Sequence, residues 1–320
     1  MTYRDKQIQI QKKIFGDKKL WGEFNHRFYS HVLKDYRHNF INQVNYEEVL
    51  NYFKENGIQW WHGVVPTNIT LSSQIACINH LFPIRQDHQA VLSLVQSIDA
   101  SLEDIEILEN DEVSPGYISF EVVSKNDHLN EGRGKKNELS RGSQCTSIDA
   151  VILAKKQDKK VLIAIEWKYA ETYSNEDKSN NPRIRDKYFG NNVNNPYLLQ
   201  NSEQLKRYND YEGSVYFFEP FYQLMRQTLW AEQMIKHRKE EVIQADDFIH
   251  VHVVPSGNKE LLQKDYTHIR GGGKDMMTTW TDQLKEPNKY VLISPDKLFS
   301  KLPCDKWRDL ICSLKARYWQ

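Results

Sequence analysis

Between residues 45 and 98 apolar residues recur every three or four positions, and from about residue 117 to residue 169 they switch to alternation and short continuous runs. The first pattern predicts helices. Asn45 followed by Glu48 resembles a capping box, with Val49, Leu50 and Phe53 as the apolar stripe and Gly57 as the stop. The run LSSQIACINHL, Leu71 to Leu81, opens on serines and is followed by Pro83, which predicts a second helix. Asp87 is the expected cap of a third, with Val91, Leu94, Val95 and Ile98 on one face. Past Pro115-Gly116 the segments YISFEVVS, SIDAVILA and VLIAIEWKY predict three strands, the last two joined through KKQDKK as a hairpin. Helical spacing returns in SEQLKRYNDY and in EPFYQLMRQTLWAEQMIKHRK, and FIHVHVVP predicts a fourth strand ended by Pro255.

Residues 70–255 therefore read α-β-β-β-α-β, the order of an α/β core. Residues 1–69 and 256–320 are expected to be helical additions, the latter packed on the core, with helix starts at Ser294-Pro295 and at Asp305 before Trp307, Leu310, Ile311 and Leu314. Two polar stretches, residues 126–144 and 174–195, are too long for tight turns.

Composition narrows the setting. The 320 residues hold 43 Lys+Arg against 43 Asp+Glu, so any basic groove must be local. Arg133, Lys135, Lys136 and Arg141 in one long loop, and Arg183, Arg185 and Lys187 in the other, are the candidates for contacting a polyanion. Cys77, Cys145, Cys304 and Cys312 show no paired spacing, which argues against a disulfide framework or a four-cysteine zinc site. The N-terminus lacks a signal-peptide pattern, and no stretch approaches the ~18–20 apolar residues of a membrane span. The cytoplasm is the expected compartment.

The chemistry concentrates in SIDAVILAKKQDKKVLIAIEWKYAE. Alternation in a strand puts Glu166 and Lys168 on one side and Ile165 and Trp167 on the other, while the hairpin returns Asp149 to the neighbouring strand. Glu-x-Lys on a strand also occurs as an exposed surface pair. Here the charges interrupt strongly apolar strands, where uncompensated charge is expensive. Two carboxylates suit a hard divalent cation such as Mg²⁺, and an adjacent ammonium suits water orientation and charge stabilisation in phosphodiester hydrolysis.

An Asp in a strand, a hairpin, and Glu-x-Lys ending the next strand, within this order of elements, resembles the PD-(D/E)xK restriction-endonuclease-like nuclease superfamily. The resemblance covers residues 70–255 and implies a restriction-endonuclease-like α/β core with a mixed central sheet flanked by helices; Ile148 stands where Pro often precedes the Asp. It implies that Asp149 and Glu166 hold Mg²⁺ or Mn²⁺ with the Trp167 carbonyl, that Lys168 is catalytic, and that the activity is that of a metal-dependent nuclease acting on DNA in restriction, defence or repair, with internal versus end cleavage left open. Many members carry a further acid, for which Glu121 is the candidate, with Gln74 at the corresponding position of the first helix. Glu171 and Tyr173 are candidates to support the site. So are Gln204 with Tyr208, in Q-x-x-x-Y spacing, or the rival set Gln223, Arg226 and Gln227 on the stronger helix. An RNA substrate, a catalytically inactive DNA-binding or assembly module, and a homodimer stay open.

Other signals carry less. Gly271-Gly272-Gly273-Lys274 lacks the spacing of a phosphate loop. His250 and His252 on a strand, and Cys77 and His80 on a helix, are expected to be structural, and Trp60 and Trp61 to serve core packing rather than base stacking.

Overall fold

The structure, a computed structural model, describes residues 1–16, 18–24, 27–61, 63–132, 139–142 and 145–320. Helix α1 (Tyr3–Phe15) is followed by strands β1 (Trp21–Phe24) and β2 (Arg27–Leu33), then α2 (Tyr46–Glu55), α3 (Ser73–Leu81), α4 (His88–Ile98), β3 (Asp104–Glu106), β4 (Ser119–Val122), β5 (Ile148–Lys156) and β6 (Lys159–Trp167). The second half runs α5 (Pro182–Phe189), α6 (Phe221–Lys236), β7 (Asp247–Val253), α7 (Lys259–Leu262), α8 (Met276–Thr281), β8 (Tyr290–Ile293), α9 (Pro295–Leu298) and α10 (Cys304–Arg317).

The predicted N-caps form, but not as a capping box at Asn45, whose contact with Glu48 is side chain to side chain. Asn45 accepts from Glu47 N at 3.1 Å and donates to Glu48 at 2.9 Å, and Gly57 leaves α2 at φ +63°. Ser72 accepts from Ile75 N, and Asp87 accepts from Ala90 N at 2.8 Å. In the six-stranded sheet the order is β3-β5-β6-β7-β8, with β4 also on β5. β5 and β6 are antiparallel from Ala150↔Ile165 to Lys156↔Lys159, closing on Gln157-Asp158 with Gln157 at φ +54°. β7 runs parallel to β6, and β8 parallel to β7.

Two cores lie against the sheet. Ile163, Ile165 and Trp167 pack with α3, α4 and α10, whereas Leu162 and Ala164 pack with Leu224, Met225 and Leu229 of α6. Charges at the end of β6 therefore emerge beneath α6.

Two expectations need correction. Residues 202–211 do not form a helix, because side chains satisfy their backbone: Ser202 Oγ accepts from Gln204 N and Leu205 N, and Glu232 accepts from Glu203 N. The terminal additions are not purely helical either. The first carries the β1–β2 hairpin and the last supplies β8 to the central sheet. Both share the main core: Gln7 and Gln11 of α1 meet the Tyr169 hydroxyl, and Arg317 of α10 bonds Asn39.

Candidate active site

Extending the β5–β6 register one step past Ala150↔Ile165 sets Asp149 opposite Glu166. Regular pairing stops there, and Asp149 Oδ2 accepts from Trp167 N at 2.7 Å. The ladder to β7 continues one residue further through Lys168 N to Val253 O, 2.8 Å, which fixes the backbone on both sides of the Glu-x-Lys step. Trp167 turns the other way, its ring 4.6 Å from His80. Glu166 and Lys168, only 4% and 6% exposed, pair with each other. The second Glu166 oxygen accepts from Gln227, and Lys168 Nζ donates to Gln223 Oε1 at 2.6 Å. Both glutamines lie on α6, one turn apart.

Glu121 adds a third carboxylate from β4. It sits at φ +50°, a conformation costing a non-glycine residue about 1 kcal/mol or more. Its carboxylate is held by Gln74 Nε2 of α3 at 2.7 Å and Ser147 Oγ at 2.9 Å. Glu171 accepts from Tyr169 N at 2.7 Å. These four acids, with Lys168, Arg226 and Arg4, line one cavity of about 480 Å³.

The charge balance is negative, and the titration behaviour follows. Burial, then Glu166 and Glu121, pushes the Asp149 carboxyl well above the ordinary carboxylate range. Burial raises Glu121 and Glu171 too. Burial alone would depress Lys168, but Glu166, backed by Tyr173, Glu171 and Asp149, outweighs it and holds the ammonium charged. Among the described residues no three His, Cys, Asp or Glu side chains converge as a metal cage. A divalent cation bound by Asp149 and Glu166 with water and a backbone carbonyl nevertheless fits: it needs only one or two carboxylates and would relieve the repulsion that raises Asp149.

Of the other predicted residues, Gln74, Glu121, Tyr173, Gln223, Arg226 and Gln227 line the cavity. Gln204 and Tyr208 do not: their amide and hydroxyl bond Glu286 O and Gln283. Arg141 turns inward, donating to Asp111 Oδ1 at 2.9 Å and Phe120 O at 2.6 Å, so it is not presented to a polyanion. Arg133, Lys135 and Lys136 lie outside the described residues. On α5, Arg183 is exposed, Arg185 pairs with Glu212, and Lys187 is partly exposed. Trp60 stacks on Phe53 in the core, but Trp61 is 51% exposed at the cavity.

Sequence reasoning missed Ser147, Arg4 and the Glu131–Thr146 anchor of Arg226. Ser147 lay two residues from Asp149 and was findable. Arg4 contacts Ala170 O across 166 positions, and no local pattern announces that.

No curated protein and no solved structure matches the chain. The family model described as Restriction Endonuclease associating with ARP matches residues 3–319, and with the restriction-endonuclease-like sheet this shows that the chain belongs to that family.

Proposed function

We propose that the protein is a Mg²⁺- or Mn²⁺-dependent endonuclease hydrolysing phosphodiester bonds of DNA, with residues 70–255 as its nuclease core. The observation that carries this reading is the meeting of Asp149, Glu166 and a charged Lys168 in a cavity with surplus carboxylate. Asp149 and Glu166, with the Trp167 carbonyl, would hold the cation, and Glu121 would complete the acidic set. When bound, the cation lowers the pKa of coordinated water and neutralises charge on the scissile phosphate.

The chain's own groups do the rest. A lysine held protonated serves poorly as a base, so Lys168 acts as an ammonium that orients the attacking water and stabilises charge on the phosphoryl oxygens. Gln223 and Gln227 fix the Lys168–Glu166 pair from above. Arg226, anchored through Nε to Glu131 Oε1 at 3.1 Å and Thr146 Oγ1 at 3.0 Å, is a second cation that does not have to be ordered when a phosphate arrives. The family description names an association with ARP, which we extend to this chain as a proposed partner. No helix among the described residues is long and apolar enough to cross a membrane, and the cytoplasm is the compartment we propose.

The test is cleavage of linear, circular and single-stranded DNA and of RNA, each with Mg²⁺, with Mn²⁺ and in excess chelator. Cleavage of DNA only with metal is expected. Cleavage persisting in chelator refutes the metal mechanism, preference for RNA reassigns the substrate, and retained DNA binding with no cleavage of any substrate favours an inactive binding module.

A further inference from the structure

Behind the Glu166–Lys168 pair lies a row of polar side chains that the mechanism above does not use. His250 of β7 is 1% exposed, beneath α6. Its Nε2 stands 3.0 Å from Gln227 Oε1 and its Nδ1 3.2 Å from Thr228 Oγ1. Gln227 donates through its other amide atom to Glu166, and Glu166 pairs with Lys168. We propose that His250 is a positioning residue for the active site, fixing through Gln227 the orientation in which Glu166 is presented to Lys168 and to a cation.

The direction of each bond follows from donor and acceptor capacity. An ionised carboxylate only accepts, so Gln227 must turn its NH₂ toward Glu166. The amide oxygen then faces His250, and Nε2 must carry the hydrogen. That leaves Nδ1 bare, to accept from the Thr228 hydroxyl. The ring stays neutral, since burial depresses its pKa to about 3. Each of these side chains is at most 4% exposed, so an amide flip would set the Gln227 and Glu166 oxygens against each other and the Gln227 NH₂ against the Nε2 hydrogen, a costly loss of two buried hydrogen bonds. His250 thus gives Gln227 one stable orientation, and Gln227 gives Glu166 one. Next along β7, His252 faces Tyr290 OH at 3.0 Å and lies in register with Glu166, yet has no bond to Gln227, which distinguishes the two histidines.

This inference rests on the proposed nuclease reading, so the experiment runs both in parallel. Wild type, Lys168→Ala, His250→Phe and His250→Gln are compared for kcat and KM of DNA cleavage, for Mn²⁺ affinity by calorimetry and for thermal unfolding. Phe keeps a ring without the N–H, whereas Gln keeps a donor at comparable reach. His250→Phe is expected to lose about tenfold or more in kcat and in Mn²⁺ affinity with KM for DNA unchanged, the scale of other groups that orient metal ligands. His250→Gln should recover most of both. Wild-type kcat and Mn²⁺ affinity in folded His250→Phe overturn the positioning role, as does a Gln variant no better than Phe. If Lys168→Ala cleaves like wild type, the active-site reading itself falls. Should both His250 variants unfold, ¹⁵N NMR of the wild-type ring decides: protonated Nε2 with bare Nδ1 supports the proposal, and the other tautomer or an imidazolium refutes it.

Discussion

The β5–β6 hairpin carries lysines facing acids at both of its ends, and the two ends behave oppositely. At the turn, Lys155, Lys156 and Lys160 pair with Glu106, Asp99 and again Glu106 at 3.1, 3.1 and 2.6 Å, and all of these side chains are 25–46% exposed. Partial burial pushes Glu106 up, but Lys160 and Lys155 outweigh it and hold it below the ordinary carboxylate range. At the far end four carboxylates, Glu166, Asp149, Glu121 and Glu171, share one cavity with Lys168, Arg226 and Arg4, Arg226 being already paired with Glu131, and Asp149 is pushed up. The residue types are the same. What differs is whether water screens them and whether the charges cancel: an ion pair at 4 Å is worth roughly four times more where the effective dielectric is about 20 than in bulk water. An acid–lysine pair therefore marks little by itself, whereas a buried excess of carboxylate is what the proposed cation site would draw on.

The comparison breaks most sharply in cleavage. Lys168→Ala is expected to lose about two to three orders of magnitude in rate while keeping DNA binding, the scale for removing one group that stabilises developing charge in the transition state. Lys160→Ala, at the other end of the same strand, is expected to cleave at the wild-type rate and to lose at most about 1 kcal/mol of stability. Rates measured beside denaturation curves on the two variants decide the matter. Equal rates would show that the two ends are chemically alike.

Stability should respond next, and with opposite sign at the two ends. Asp149 has a raised folded pKa, so above the ordinary carboxylate range the folded state holds more protons than the unfolded one, and stability falls as pH rises. Glu106 has a lowered folded pKa, so its contribution is complete above that range and is lost as pH falls through the folded value. In chelator at neutral pH, Asp149→Asn is expected to melt above wild type. Added Mn²⁺ should reverse the order, stabilising wild type by about 2.7 kcal/mol at a hundred times its Kd and leaving Asp149→Asn unchanged. Scanning calorimetry with and without metal checks it, and a metal-induced gain in Asp149→Asn equal to that of wild type would remove Asp149 from the cation site.

How much of this was legible in the sequence depends on how far each contact reaches. The hairpin was, because Asp149, Glu166 and Lys168 lie within 20 residues and strand alternation alone places the last two together. Gln223, Arg226 and Gln227 were legible as one face of a long helix, though not the choice between them and Gln204 with Tyr208. That choice turns on Ser202 and Glu232, which take over backbone hydrogen bonds a helix would have used. β8 is four residues long and gains its place only by pairing with β7. Nothing local separates Arg141, turned onto buried Asp111, from Arg183, turned outward. His250 was readable only as a structural histidine, since its link to Glu166 runs through a helix 23 residues earlier.

The smallest expected effect concerns those arginines and sharpens the same contrast between satisfied and unsatisfied charge. DNA affinity in a chain of zero net charge must come from local cations, and each phosphate contact contributes roughly one unit to the slope of log affinity against log salt. Arg183 is exposed on α5, Lys187 is partly so, and Arg185 reaches Glu212 at the surface, where screening makes the pair easy to exchange for a phosphate. Arg141 has already given its guanidinium to Asp111, Ser119 and the Phe120 carbonyl, so phosphate would have to displace a buried carboxylate to reach it. Replacing Arg183, Arg185 and Lys187 together by Gln is expected to weaken binding uniformly across sequences and to flatten the salt slope by up to about three units, whereas Arg141→Gln should leave the slope at its wild-type value. Binding titrations from low to moderate salt on the three proteins give both slopes. An unchanged slope in the α5 variant would mean that the strand enters the cavity from another side, and a flattened one in Arg141→Gln would mean that the Asp111 pair opens when DNA binds.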